Sequence, residues 1–291
     1  MSLEEKIRNH RKQAGLSQEK MAEQIGVSRQ AVTKWENGTG TPDIANLMAV
    51  AELFGISVDE LLSDEKAERQ QAGACYESRT EYDIDRKKNF DIHLGGAHEV
   101  LLSGYEGEKI VVLLQSESIK NIQSDYKVRI DDIKNRIDVD VNRTNDASET
   151  DAKEGLSVKV LIPRKYAGKI ELETNAASLE VSDIENESVE LGGRIGEVIL
   201  NGCKSEVEID SNLDMRITVG SHEGSVEVNQ ISATSRITVP EGFTFRTVKK
   251  GIATNVFYET KGERTEDFSQ PEAENRIELN GLKSELVIVR G

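Results

Sequence analysis

Ser28-Arg29-Gln30-Ala31-Val32-Thr33-Lys34-Trp35-Glu36-Asn37-Gly38 decides how the first part of the chain folds. Ser28 is a good helix N-cap, because its hydroxyl can accept from a backbone N–H of the first turn, and Asn37-Gly38 supplies a left-handed stop. Val32 and Trp35 lie three apart, on one face of the helix between them. Arg29, Gln30, Thr33 and Lys34 fall within little more than one turn on the other face. Their donors and acceptors are of the kinds that reach base edges and phosphates in a major groove. The spacing predicts a recognition helix, with Trp35 in the core rather than serving as a stacking platform.

The flanking residues fit that helix into a small all-α module. Leu3 to Ala14 sets Leu3, Ile7 and Ala14 on one stripe ended by Gly15, with His10 on the surface. Ser17 caps a second helix, Gln18 to Ile25, which turns Met21, Ala22 and Ile25 inward. Gly26-Val27 is the tight turn before Ser28, and two helices joined this way make a helix-turn-helix. A fourth helix is expected over Asp43 to Phe54, stopped by Gly55. Ser57-Val58-Asp59-Glu60 is a capping box that opens a short fifth helix ending at Leu62.

Leu16-Ser17-Gln18-Glu19 with Ala22, Gly26-Val27-Ser28, Val32, Trp35-Glu36-Asn37-Gly38, Pro42 and Gly55-Ile56-Ser57-Val58 closely resembles the phage-repressor, or XRE-type, helix-turn-helix family over residues 1–63. The resemblance implies that Arg29, Gln30 and Lys34 point at bases with Thr33 close by, and that Gln18 and Asn37 hold phosphates, supported by the backbone of Thr39-Gly40. With Ser28 at the helix start, these residues make up the DNA-binding set. The family commonly pairs an arginine of the first helix with the glutamate ending the third. Here those are Arg11 and Glu36, a structural pair alongside Trp35. The loop Thr39-Gly40-Thr41-Pro42-Asp43 lacks the bases that some repressors carry there, so a shallow salt slope and a need for a dimer on a pseudo-palindrome follow.

Charge is unevenly spread along the 291 residues, whose net charge is −16. Residues 1–38 hold seven Lys/Arg against five Asp/Glu, residues 39–64 hold five acids and no base, and the remainder holds 30 bases against 43 acids. A polyanion therefore has only the first 38 residues to bind. No run of about 18 apolar residues occurs, so no membrane insertion is expected. Cys75 and Cys203, 128 residues apart, are expected to be free thiols in a cytoplasmic protein.

Residues 64–80 are polar and aperiodic and read as a linker. Beyond them the period changes to two, in runs such as Phe90-Ile92-Leu94 and Ile137-Val139-Val141, with 142–155 as a solvated loop. From Ile170 the chain repeats apolar-x-apolar pairs: Ile170/Leu172, Leu179/Val181, Val189/Leu191, Val198/Leu200, Val207/Ile209, Ile217/Val219, Val226/Val228 and Ile237/Val239. Every second pair recurs about 19 residues on, which predicts a flattened β-solenoid with two strands per coil over residues 81–291, a β-sandwich being the other arrangement considered. Val158-x-Val160-x-Ile162-Pro163, these pairs and Ile277-x-Leu279-Asn280-Gly281 are similar to bacterial adhesin-like β-solenoid domains. One wall then turns out Glu171, Glu173, Glu190, Glu206, Glu208, Asp210 and Glu227. The other sets Glu180 and Glu197 against Arg216 and Arg236 and is left, around Ile199 and Thr218, for self-association or a partner.

No catalytic constellation is present and the chain reads as a non-enzyme. His93 and His98 lack the companions of a metal site, and no cofactor motif occurs. The expected fold is multidomain α + β, and the expected function is sequence-specific DNA binding in transcription regulation. Its partners would be double-stranded DNA, a second copy and a protein bound by the β domain. The alternative is a non-enzymatic scaffold or envelope-associated protein with a helical adaptor head.

Overall fold

The computed structural model describes residues 3–54, 56, 75–144 and 147–291. They belong to two compact units, Met1–Ala74 and Cys75–Gly291. In the first, α1 (Leu3–Gln13), α2 (Gln18–Ile25), α3 (Arg29–Glu36) and α4 (Ile44–Phe54) surround Ile7, Met21, Val32 and Val50, none of which reaches solvent. The boundaries follow the expected chemistry. Ser17 Oγ accepts from Lys20 N (3.1 Å), Ser28 Oγ from Ala31 N (3.2 Å) and Asp43 Oδ1 from Asn46 N (2.8 Å). Trp35 is buried with Val32 in this core. Ala14 falls in the exposed turn after α1, and His10 stacks on Phe54 with ring centroids 5.6 Å apart instead of lying free on the surface. The expected stop at Gly55, the fifth helix over 57–62 and the linker up to residue 74 lie outside the described residues.

The second unit is one sheet of fifteen strands. Its strands are β1 (Tyr76–Asp83), β2 (Lys88–Tyr105), β3 (Lys109–Ser116), β4 (Tyr126–Ile133), β5 (Arg136–Arg143), β6 (Ser157–Pro163), β7 (Ala167–Ser182), β8 (Glu185–Asp210), β9 (Arg216–Ile231) and β10 (Thr234–Val239), followed by β11 (Arg246–Ile252), β12 (Asn255–Thr260), β13 (Glu263–Thr265), β14 (Arg276–Leu282) and β15 (Glu285–Arg290). The long strands β2, β7, β8 and β9 run parallel. Ile170 pairs with Val189, Leu179 with Val198, Val198 with Ile217 and Val207 with Val226, each 19 residues on. All of these apolar residues are buried. Gly193 (φ 110) is required where it stands, because a Cβ there would lie 2.1 Å from the Thr174 carbonyl oxygen of the neighbouring strand.

Two stretches differ from the sequence reading. Tyr76–Asp83 is an edge strand antiparallel to β3, so the β unit begins inside the stretch read as linker. Its one half-buried face carries Tyr76, Ser78 and Thr80, too polar to register as an apolar alternation. Residues 149–155, read as loop, form a helix, Glu149–Gly155; a four-residue helix, Ile122–Asp125, precedes β4. Ser148 caps the longer helix and Ala152 is its one inward residue, a pattern too sparse to show a period.

The last two strands do not end the stack. β14 lies between β9 and β11, and β15 between β10 and β12. The inward positions explain why. Ile277 and Leu279 of β14 are buried, whereas the β11 residues in register with them are Thr247 and Lys249. An inward lysine cannot be desolvated in the middle of the stack, so β11 is tolerated only at its end, where that lysine also discourages pairing with further strands. Phe245, Tyr258 and Phe268 pack together there, with Phe268 5.1 Å from the Tyr258 ring.

Outward carboxylates stack in register: Asp138, Asp91, Glu171 and Glu190 in one run, Glu208, Glu227 and Glu278 in another. Arg136 neutralises the first end, and Lys250 with Arg276 the other. Partial burial, then the neighbouring carboxylates Glu278 and Glu208, pushes the Glu227 carboxyl above the ordinary glutamate value of 4.5. The raised value means that its contribution is most favourable below that value and is lost as pH rises through the folded one. Glu227→Gln should therefore stabilise the β unit at pH 7 by up to about 1 kcal/mol and have little effect at pH 4, as read by urea denaturation at the two pH values.

Candidate nucleic-acid interface

α3 has two different faces. Val32 and Trp35 are in the core, while Arg29, Gln30 and Lys34 are exposed, with Ser28 at one end and Asn37 at the other also exposed and Thr33 half-buried. A helix this short is set in place by what grips its ends. The grip here is Glu36, 1% exposed, whose carboxylate receives Arg11 Nε (2.6 Å), Arg11 Nη2 (2.9 Å) and Gln18 Nε2 (2.8 Å). Arg11 also donates to the Leu16 carbonyl (2.7 Å), so one guanidinium ties α1 to the α1–α2 turn and to the end of α3. Burial alone would push the Glu36 carboxyl up. The hydrogen bonds from Arg11 and Gln18, with the charges of Arg11 and Arg8, outweigh it and hold that carboxyl below its ordinary value. Its hydrogen bond to Glu36 correspondingly raises Arg11.

The other positions expected to face DNA join this network in part. The Gln18 amide is polarised: Nε2 donates to Glu36, and Oε1 accepts from Thr33 Oγ1 (3.1 Å). Thr33 Oγ1 also lies 3.0 Å from the Arg29 carbonyl. The Ser28 hydroxyl is engaged in capping. Arg8 was missed in the sequence. Its guanidinium donates to the Glu36 carbonyl and to Asn37 Oδ1 (3.3 Å), which leaves the Asn37 amide nitrogen as the outward donor at the end of α3. The available signal was its place three residues before Arg11, on the same face of α1.

The histidines of the β unit are separately engaged, His93 with Asp91 (3.0 Å) and Glu173 (3.3 Å), His98 with the Lys153 carbonyl (3.2 Å) and the buried His222 with the Ser225 carbonyl (3.2 Å). Cys203 is buried and Cys75 half-buried, both free. Among the described residues no helix is long and apolar enough to cross a membrane.

Residues 7–61 match the family model for the helix-turn-helix. An HTH-type transcriptional activator of Enterococcus faecalis, BcrR, is 42% identical over 66 residues, 23% of this chain and 32% of that protein. The cryptic phage CTXphi transcriptional repressor RstR of Vibrio cholerae is 39% identical over 61 residues, 21% of this chain and 54% of that protein. The chain thus spans about a third to a half of the length of these curated relatives. It spans more, 71%, of an HTH-type transcriptional regulator of Methanothermobacter thermautotrophicus, at 41% identity over 49 residues, 17% of this chain. Among solved structures, the P22 c2 repressor in complex with a synthetic operator is 32% identical, covering 22% of this chain and 96% of that one, with a TM-score of 0.21. A candidate cell adhesion protein of Clostridium sporogenes is 11% identical, covering 74% of this chain and 100% of that one, with a TM-score of 0.37. Through its first unit, the chain belongs to the XRE-type helix-turn-helix family.

Proposed function

We propose that the chain is a sequence-specific DNA-binding transcription regulator which sets α3 in the major groove. Arg29, Gln30 and Lys34 would read base edges, with Thr33 beside them, while Ser28, Gln18 and Asn37 face the phosphates. The observation that carries the reading is the contrast between the two faces of α3: three long polar side chains exposed together, and a buried Glu36 holding the helix against α1 and α2. Gln18 keeps one amide hydrogen beyond its bond to Glu36, enough for one phosphate oxygen.

With few bases on this face, one copy binds weakly and two copies on a pseudo-palindrome bind usefully. We assign dimerisation, signal reception or partner docking to the β unit, read as a solenoid with two strands per coil; the 19-residue register supports that reading. Residues 1–63 form the DNA-binding domain, and the β domain takes in β1 as well as residues 81–291. The chain works in the cytoplasm and is not an enzyme.

Arg29→Ala and Gln30→Ala should each cost about 1–3 kcal/mol of binding and relax preference at particular base pairs. Equal loss on every duplex in gel-shift titrations would instead make both residues backbone contacts.

A further inference from the structure

Large exposed aliphatic side chains are few among the described residues of the β unit, and three of them are stacked. Ile231 is 53% exposed, Leu282 41% and Ile252 72%. Leu282 is in register with Ile231 and Ile252 with Leu282, so the three form one outward ladder with rungs about 4.8 Å apart. Each stands immediately before a residue in the left-handed conformation, Ser232, Lys283 or Ala253, where the chain turns a corner. That turn does not require an aliphatic residue, because Ser182 occupies the matching place before the left-handed Asp183. On one side of Ile231 lies Asn212, whose Oδ1 accepts from the Ile231 backbone (3.0 Å). Asp210, Asn229 and Asn280 join Ile231 and Leu282 in lining a groove of about 570 Å³.

The ladder has a direction. At its β8 end stand Asp210 and Asp214, and at its β11 end stands the exposed Lys250, on the same face as Ile252, its ammonium also meeting Glu278 of its own copy. A second copy turned end for end, about an axis lying across the ladder, places Leu282 on Leu282 and Ile231 on Ile252. The same rotation carries the lysine end of each copy to the carboxylate end of the other. A parallel arrangement would set lysine against lysine.

We propose that this corner ladder is the surface on which two copies of the chain pair. It is a different surface from the wall around Ile199 and Thr218, whose side chains are half-buried in their own sheet. The proposal gives the dimer invoked above its contact and rests on that reading only for its purpose. Three aliphatic side chains a copy make a small patch, so pairing is weak in free solution and becomes effective when two chains sit on one duplex, at high effective concentration. Lys283, next to Leu282, faces its own copy near the axis and opposes the pairing, so Lys283→Ser tightens it.

Disulfide trapping of the full chain tests both place and direction. In a Cys75→Ser background, with Cys203 buried, Leu282→Cys treated with diamide should give a covalent dimer on non-reducing gels about tenfold faster than Ile199→Cys does. Ile231→Cys and Ile252→Cys should cross-link when mixed and far less when each is alone. A Leu282→Cys rate no higher than that of Ile199→Cys overturns the surface. Faster linking of Ile231→Cys to itself than to Ile252→Cys overturns the end-for-end arrangement. Duplex binding by the same reduced variants is measured separately, so failure of the pairing surface and failure of the DNA-binding reading give different results.

Discussion

Replacing Arg11 with Met should destabilise the helical unit by about 3–5 kcal/mol, because it leaves the Glu36 carboxylate buried without its bidentate partner. A unit of this size has little more than that in total, so the variant is expected to be largely unfolded at 37 °C while the β unit keeps its own transition. Gln18 keeps one hydrogen bond to the carboxylate and Arg8, bonded to the Glu36 carbonyl, acts on it through charge alone, so neither supplies two hydrogen bonds and a full charge together. The pH dependence gives a sharper signature. In the unaltered chain the Glu36 carboxyl is held below its ordinary value of 4.5, so its contribution is present above that value and is lost as pH falls through the folded one. Without Arg11 burial dominates and the folded value moves up. Acidification towards pH 4 should then shrink the difference between variant and parent, as read by far-UV circular dichroism during thermal unfolding at pH 7 and pH 4. A difference that stays constant or widens would mean that Arg11 acts through packing of its stem.

The second large effect concerns the other end of the chain. Deleting residues 274–291 removes β14 and β15, which bury Ile277, Leu279, Leu286 and Ile288 between β9/β10 and β11/β12. Each such side chain is worth about 2–5 kcal/mol, so together they match or exceed the stability of a typical domain. The deletion also strands β11 and β12, whose parallel partners are β14 and β15. The truncated chain should lose the cooperative thermal transition of its β unit. Had these strands formed the outermost coil, their loss would peel away one layer and leave the rest nearly as stable. A modest downward shift of the transition would therefore contradict the interior placement.

That placement also marks where the sequence stopped being readable. The recurrence from Ile170/Leu172 to Ile237/Val239 reports burial directly, because each of these strands turns its apolar residues into the core, and its 19-residue step is the register found between β7, β8 and β9. The same pattern carries no information about which layer neighbours which once strands are no longer consecutive. The cue was Lys249, a charge at an inward position, which fits only a terminal strand. The four described helices were legible almost to the residue, since Ser17, Ser28 and Gly26 act locally. The reach of Arg8 from α1 to the end of α3 depends on how the helices cross, and no local pattern records it. Tyr76–Asp83 was hidden for another reason: an edge strand with one half-buried face needs no apolar alternation.

The most direct measurement is selection of the full-length chain on a randomised duplex, followed by sequencing of what is retained and repeated with Arg29→Ala. A regulator that reads DNA through α3 should enrich one pseudo-palindrome with half-sites about one helical turn apart, and the variant should lose preference at the same one or two positions in both halves. Retention of no common sequence, or an identical motif from parent and variant, would contradict the account.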